Sequence, residues 1–366
     1  MCIPSSGFFR SREPNRALAN TARRRFRRMR AVRTPPRRLF SAATSRRPIP
    51  LIDLSHPPEI AARDIHAACR SVGFFQILGH GVPETLRERV LSEAAGFFAL
   101  PQSSKDELSI WKSADKVRGY QRIHENVTQG VADWHEGFDC FLEQPSATAH
   151  HGTNLWPAEQ PSFRSAILEY VDEMQRVGGL VTSLMARSLG LPPGHFSPFY
   201  DCGFWGLRAI HYPRAVAADA TTASTAAAHE QRAAAGPELG CGVHTDYGCL
   251  TLLHSDETPG ALQAQATDGA WIDVEPTPGA FTCNIGDMMA RWTNGLYRAT
   301  PHRVLRPATG ARISIPFFFE PNYDAVIAPL PRCCELTGRS AMWPPVVYGD
   351  HLHAKTSSNF APAAAP

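Results

Sequence analysis

The sequence Cys241-Gly242-Val243-His244-Thr245-Asp246-Tyr247-Gly248 is followed by the apolar run Cys249-Leu250-Thr251-Leu252-Leu253, which is typical of a β-strand. His244 and Asp246 are two residues apart. Because alternate residues of a strand point to the same face, we expect this imidazole and this carboxylate to face one point in space. They are candidates for two ligands of a metal ion.

His302 is the candidate for the third ligand, in Tyr297-Arg298-Ala299-Thr300-Pro301-His302-Arg303-Val304. Two histidines and one carboxylate on one side of a metal are typical of non-haem Fe(II) oxygenases. Both imidazoles must be neutral to bind a metal ion, so we expect metal affinity to fall in acid.

A second pattern, Arg312-Ile313-Ser314, follows ten residues beyond His302. Arg312 and Ser314 share a strand face. A guanidinium group donates two parallel, charge-assisted hydrogen bonds, so this pair suits a buried carboxylate.

Together these residues resemble the Fe(II)/2-oxoglutarate-dependent dioxygenase superfamily, and in particular its isopenicillin N synthase-like family. The resemblance extends in chain order from about Ile49 to about Pro321. Four further segments carry it: Gly73-Phe74-Phe75-Gln76, Gly79-His80-Gly81-Val82-Pro83, Asn284-Ile285-Gly286-Asp287 and Trp292-Thr293-Asn294-Gly295. It implies a mainly β fold with flanking helices around a double-stranded β-helix, or jelly-roll, core. The short strands and frequent turns between Gly240 and Glu320 favour the same fold.

The resemblance implies an oxygenase that oxidises a small molecule, most simply by hydroxylation, with succinate and CO2 as co-products. Fe(II) would be held by His244, Asp246 and His302, with no catalytic residue beyond these ligands. 2-Oxoglutarate and O2 would be co-substrates, and ascorbate a reductant. Tyr212 occupies the place of a family tyrosine that binds the co-substrate carboxylate together with Arg312 and Ser314.

One departure from the family pattern keeps other functions open. Ile210 stands where the family usually has an asparagine. An iron-dependent oxidase that does not use 2-oxoglutarate is therefore an alternative, because in isopenicillin N synthase the Arg-x-Ser pair holds a substrate carboxylate. A non-catalytic scaffold and a zinc hydrolase with the same ligands are further alternatives.

The substrate pocket is predicted from position alone, with Phe317, Phe319 and residues of the region 118–138, including Tyr120, as its lining residues. The sequence does not distinguish hydroxylation from desaturation or cyclisation. We expect a small-molecule substrate and no obligate protein partner.

Charge is distributed unevenly along the chain. Residues 1–47 hold 14 of the 37 basic residues and one of the 34 acidic residues, so the remainder has a net charge of −10. This argues against nucleic acid as a partner of the folded part. The Arg-rich leader is typical of a transit peptide and predicts a mitochondrial location; without targeting, the location would be cytoplasmic. A disordered basic arm is the alternative.

The motifs divide the rest of the chain into three regions. Residues 48–200 form a helical and strand region, with helices predicted at 57–72, 83–100 and 162–189. Residues 201–325 form the jelly-roll domain, with an inserted Ala- and Thr-rich loop at 215–237, and residues 326–366 are a C-terminal segment. No run of about 18 apolar residues exists, which predicts that the chain has no membrane span.

Overall fold

The computed structural model describes residues 49–144, 148–214 and 238–359. The predicted leader at 1–47 and the predicted insert at 215–237 lie outside these residues. Among the described residues, no helix combines the length and the apolarity needed to cross a membrane.

Sixteen strands occur in the described residues: β1 (Leu51–Asp53), β2 (Phe74–Leu78), β3 (Gly119–Gln121), β4 (Val127–Thr128), β5 (Val131–Ala132), β6 (Glu136–Phe141), β7 (Trp205–Tyr212), β8 (Leu239–His244), β9 (Leu250–Ser255), β10 (Leu262–Gln265), β11 (Trp271–Asp273), β12 (Phe281–Ile285), β13 (His302–Leu305), β14 (Arg312–Phe319), β15 (Val326–Ile327) and β16 (Val346–Val347). The α-helices of the same residues are α1 (Pro58–Ser71), α2 (Glu84–Phe98), α3 (Gln102–Asp106), α4 (Pro161–Ser188), α5 (Asp287–Trp292), α6 (Pro331–Thr337) and α7 (Tyr348–Asn359).

Two sheets form the centre of the fold. The larger has eight strands in the order β1-β2-β12-β9-β14-β7-β6-β3, and the smaller has four in the order β11-β10-β13-β8. Apolar side chains of both sheets, including Phe74, Ile210, Leu262 and Val304, pack into one cluster between them. This arrangement confirms the predicted mainly β architecture with a jelly-roll core.

The strand order interleaves the two regions that the sequence separates. Strands β1, β2, β3 and β6 come from the first region, yet they lie in the same sheet as β7, β9, β12 and β14. The helical region therefore contributes both edges of the larger sheet.

Helix α4 covers the outer face of this sheet because one side of the helix is apolar. At Gly178 the helix approaches β14 closely, and a Cβ atom there would lie 2.4 Å from Cδ2 of Phe319. A Cβ at the next residue, Gly179, would meet no atom within 4 Å. The absence of a side chain at Gly178 thus sets how closely α4 packs on β14.

Candidate active site

The three predicted metal ligands lie together at the edge of the smaller sheet. His244 ends β8 and His302 begins β13, and the two are directly paired across these antiparallel strands. The Nε2 atoms of His244 and His302 lie 3.7 Å and 3.6 Å from Oδ1 of Asp246. Asp246 itself follows the end of β8 and lies in the loop before β9, rather than on the strand as the sequence analysis assumed. The loop, not strand alternation, directs its carboxylate to the histidines.

Backbone carbonyl groups fix the orientation of both imidazoles. Nδ1 of His244 lies 2.8 Å from the carbonyl oxygen of Gly242, and Nδ1 of His302 lies 3.0 Å from that of Thr300. Because a carbonyl oxygen can only accept, each Nδ1 carries a hydrogen, and each Nε2 points to the common point. Such contacts orient metal-binding histidines.

Two side chains that the sequence analysis did not predict hold Asp246. Its Oδ2 atom accepts hydrogen bonds from the Thr251 hydroxyl and from Nδ2 of Asn284, the latter at 2.6 Å. This leaves Oδ1 on the side of the histidines. Burial opposes ionisation of Asp246, but the two histidines and these hydrogen bonds outweigh it and lower its pKa. The carboxylate is therefore ready to bind a cation.

The two imidazoles differ in their affinity for a proton. Burial, with the neighbouring His244, lowers the pKa of His302 to about 4. Burial also opposes the charged form of His244, but Cys241 and Asp246 outweigh it and raise its pKa to about 10. One proton thus resides on His244, and a metal ion would displace it.

Arg312 lies in a cavity of about 100 Å³ that also contains the three ligands; we call it the Arg312 cavity. Arg312 is only 2% exposed, and it is paired across β14 and β7 with Tyr212, which hydrogen-bonds Ser314. Among the described residues, Nη1 of Arg312 has no hydrogen-bond partner and the side chain has no acidic partner. A buried cation in this state requires an anion. The residues present therefore fit Fe(II) at the triad and the far carboxylate of 2-oxoglutarate at Arg312, Ser314 and Tyr212.

The wall of the Arg312 cavity includes Ile210 and His135. Ile210 is buried among apolar side chains and offers no hydrogen bond. Nδ1 of His135 lies 2.8 Å from the carbonyl oxygen of Gly240, and its Nε2 is buried without a partner. His135 lies in the region 118–138 that was predicted to line the pocket, but the sequence did not single it out, because nothing in its motif distinguishes it from a structural histidine.

A second cavity, of about 150 Å³, shares His244, Asp246 and Arg208 with the first. It extends past Asp139 to helix α7. We call it the Asp139 cavity. A cavity of this size accommodates a small organic molecule. Because His244 and Asp246 line it, a molecule bound there would lie beside the metal site. Its remaining lining residues include Asn126, Thr128, Phe141, Phe204, Phe318, Glu320, Tyr348, Leu352 and Thr356.

The structure corrects the predicted substrate pocket. Phe317 and Phe319 lie on the other face of β14, where Phe317 stacks on Trp205 and Phe319 on Tyr200. Phe318 lines both cavities instead.

The physical reason is the two-residue period of a strand. Arg312 and Ser314 face the site, so the even-numbered positions of β14 continue that face. Tyr120 is also excluded from both cavities: it packs on Phe97, and its hydroxyl donates to Glu136.

Comparisons with known proteins agree with this geometry. A family model described as non-haem dioxygenase in morphine synthesis, N-terminal, matches residues 49–159, and the model of the 2OG-Fe(II) oxygenase superfamily matches residues 217–321. A homoarginine-6-hydroxylase of Oryza sativa subsp. japonica is 36% identical over 85% of this chain and 97% of its own length. A 2-oxoglutarate-Fe(II) type oxidoreductase of Emericella nidulans is 32% identical over 83% of this chain and 86% of its own length.

Solved structures show the same similarity. A full-length Neurospora crassa protein in complex with alpha-KG and thymine matches with a TM-score of 0.71 at 27% identity, over 85% of this chain and 96% of that chain. JOX2 in complex with 2OG, Fe and JA matches with a TM-score of 0.68 at 29% identity, over 82% of this chain and 83% of that chain.

Proposed function

Because this chain belongs to the 2-oxoglutarate–Fe(II) oxygenase superfamily, and is therefore an oxygenase that uses Fe(II) and 2-oxoglutarate, we propose that it hydroxylates a free amino acid with a basic side chain, of the homoarginine type. The relatives support this substrate class. Homoarginine-6-hydroxylases of Oryza sativa and Glycine max are 36% and 35% identical to this chain, and the matches cover 97% and 99% of their lengths.

The observation that carries the proposal is the charge of the Asp139 cavity. Its wall presents the cation Arg208 and the carboxylate of Asp139 side by side. The two charges pair with each other, but an apolar substrate would leave Nε of Arg208 and Oδ2 of Asp139 buried without hydrogen bonds, which is unfavourable. A substrate that carries both a carboxylate and cationic groups compensates them.

Each residue of the site has a role in such a reaction. Bound iron and 2-oxoglutarate supply the oxidising chemistry, in which decarboxylation of the co-substrate to succinate accompanies transfer of oxygen to a C–H bond. His244, Asp246 and His302 would hold the metal, and Arg312, Ser314 and Tyr212 would hold the far carboxylate of the co-substrate. Phe318 lines both cavities.

The test is succinate formation by the full-length chain with Fe(II), ascorbate and 2-oxoglutarate. We expect homoarginine to stimulate succinate formation and to gain one oxygen atom by mass spectrometry, with arginine and lysine as weaker substrates. His244→Ala should abolish both signals.

Two results would oppose the proposal. Stimulation by thymine, but by no basic amino acid, would overturn the substrate class. Substrate oxidation without any requirement for 2-oxoglutarate would favour the alternative of an iron-dependent oxidase.

A further inference from the structure

Arg208 and Asp139 form an ion pair within the Asp139 cavity. They are directly paired on the adjacent strands β7 and β6, and both side chains line the cavity. Nε of Arg208 lies 3.1 Å from Oδ1 of Asp139, and the side chains are 17% and 6% exposed. The pair is thus fixed by the sheet and largely shielded from solvent.

The guanidinium group of Arg208 is held on one side only. Its Nη2 atom donates to Oε1 of Gln121 and, at 3.0 Å, to Oδ1 of Asn126. Its Nε–H is not aligned with Asp139 and is buried without a hydrogen-bond partner. Nη1 makes no hydrogen bond to any described residue. Three of the five N–H donors of this cation therefore have no hydrogen-bond acceptor among the described residues.

Asp139 lacks a hydrogen-bond donor, whereas Arg208 lacks an acceptor. Its Oδ2 atom is buried and has no hydrogen-bond partner. Burial raises the pKa of Asp139 to about 6, against the opposing effect of Arg208 and with a further rise from Asp115. The carboxyl group is ionised at neutral pH, and an unpartnered oxygen of this kind is costly to bury. A cationic donor is what this atom lacks.

A free donor and a free acceptor of opposite charge stand next to each other here. If the guanidinium group of the substrate occupied this position, it would lie beside Arg208 and be repelled by it. An amino-acid zwitterion fits, because its ammonium and carboxylate groups are also adjacent. Arg208 also lines the Arg312 cavity together with the three metal ligands, so the pair lies close to the reaction centre.

We infer that Arg208 and Asp139 form a clamp for the α-carboxylate and α-ammonium groups of the substrate, so that the enzyme requires a free α-amino acid. This inference rests on the proposed function and adds the part of the substrate that is recognised. Glu320 lines the same cavity but is not the acceptor, because its Oε2 atom already accepts a hydrogen bond from the backbone of Cys249 at 2.8 Å.

The experiment compares homoarginine with two analogues in the full-length wild-type protein. Homoagmatine lacks the α-carboxylate, and Nα-acetylhomoarginine lacks the α-ammonium charge. We expect kcat/KM for each analogue to be at least about tenfold below that for homoarginine, since each loses a charge-assisted hydrogen bond. Succinate formation and the mass of the product are the readouts.

The variant Asp139→Asn tests the residue itself. It should raise KM for homoarginine at least about tenfold, with little effect on KM for 2-oxoglutarate. Asp139→Glu should restore part of the difference. Asp106→Asn is the matched control, because Asp106 forms an exposed pair with Arg122 and does not line either cavity.

The outcomes separate the two claims. Wild-type protein that uses homoarginine and both analogues equally well would overturn the clamp and leave the proposed function intact. Asp139→Asn protein that binds 2-oxoglutarate normally and keeps the wild-type preference would also overturn the clamp. Wild-type protein that does not use homoarginine would overturn the proposed function, and the clamp with it.

Discussion

Arg312 is the buried cation that faces the metal ligands across the Arg312 cavity, and its Nη1 atom has no partner among the described residues. Arg312→Ala removes the charge-assisted hydrogen bonds to the far carboxylate of 2-oxoglutarate. We expect binding of 2-oxoglutarate to the metal-loaded protein to weaken by about 2–3 kcal/mol, which is roughly 30- to 150-fold. Anaerobic calorimetry with Mn(II) in place of Fe(II) measures this affinity.

A surface arginine provides the control for this change. Arg332 pairs with Glu335, and both side chains are largely exposed, so Arg332→Ala should leave the affinity for 2-oxoglutarate unchanged. If Arg312→Ala bound 2-oxoglutarate as tightly as the wild type, the carboxylate site would have to be sought elsewhere.

Thr251 acts on the metal through Asp246. Thr251→Val keeps the shape of the side chain but removes the hydroxyl that donates to Oδ2 of Asp246. We expect metal affinity to fall about 10- to 100-fold, as is usual when a residue that orients a ligand is lost. Competition with a chromogenic chelator measures it.

Thr182→Val is the matched control for this experiment, since Thr182 is buried to a similar degree and bonds only within α4. Equal metal affinity in both variants would show that Asn284 alone orients the carboxylate.

Site residues were predictable from sequence only where chemistry restricts the residue type. His244, Asp246 and His302 could be found because few residues bind iron, and Arg312 because few hold a carboxylate. The contact of Thr251 with Asp246 could not be predicted, since threonine is common and only the tertiary structure shows where its hydroxyl points. Phe317 and Phe319 were misplaced although the period of β14 already excluded them from the site.

At the scale of elements, the packing of α4 on β14 can be tested with two neighbouring glycines. Ala at either position has the same helix propensity, about 1 kcal/mol better than Gly. Only Gly178→Ala brings a methyl group against the ring of Phe319. We expect Gly178→Ala to be less stable than Gly179→Ala by about 1–3 kcal/mol, the usual cost of overpacking.

Urea denaturation of both variants and the wild type measures the difference. Gly179→Ala should be at least as stable as the wild type. Equal stability of the two variants would mean that β14 can move away from the helix without loss of packing.

Helices with a strong apolar period could be predicted from the sequence, whereas the pairing of strands could not. The helix predicted at 162–189 corresponds to α4 at Pro161–Ser188, and that at 57–72 to α1 at Pro58–Ser71. The end of β8 before Asp246 was missed, because an apolar strand pattern does not mark where hydrogen bonding to β13 stops. The pairing of β2 with β12 joins residues about 200 apart, which no local pattern encodes.

For the whole molecule, we propose that residues 1–47 direct the chain to mitochondria. Their charge supports this, with 14 arginines and one acidic residue. A fluorescent protein that carries residues 1–47 should co-localise with mitochondria in eukaryotic cells. Replacement of the arginines at 23–30 with glutamine should abolish that location; a diffuse signal from the unaltered fusion would contradict the proposal.

The direct pairing of His244 with His302 has a consequence for the abundance of the protein. A metal ion held by these residues would stabilise the folded state, in which the two strands bring them together. At a free metal concentration 100-fold above its dissociation constant, such binding stabilises a protein by about 2.7 kcal/mol. Typical domains have a total stability of only about 5–15 kcal/mol. Iron starvation would therefore shorten the lifetime of this enzyme in the cell, by exposing it to proteolysis, as well as stop its turnover.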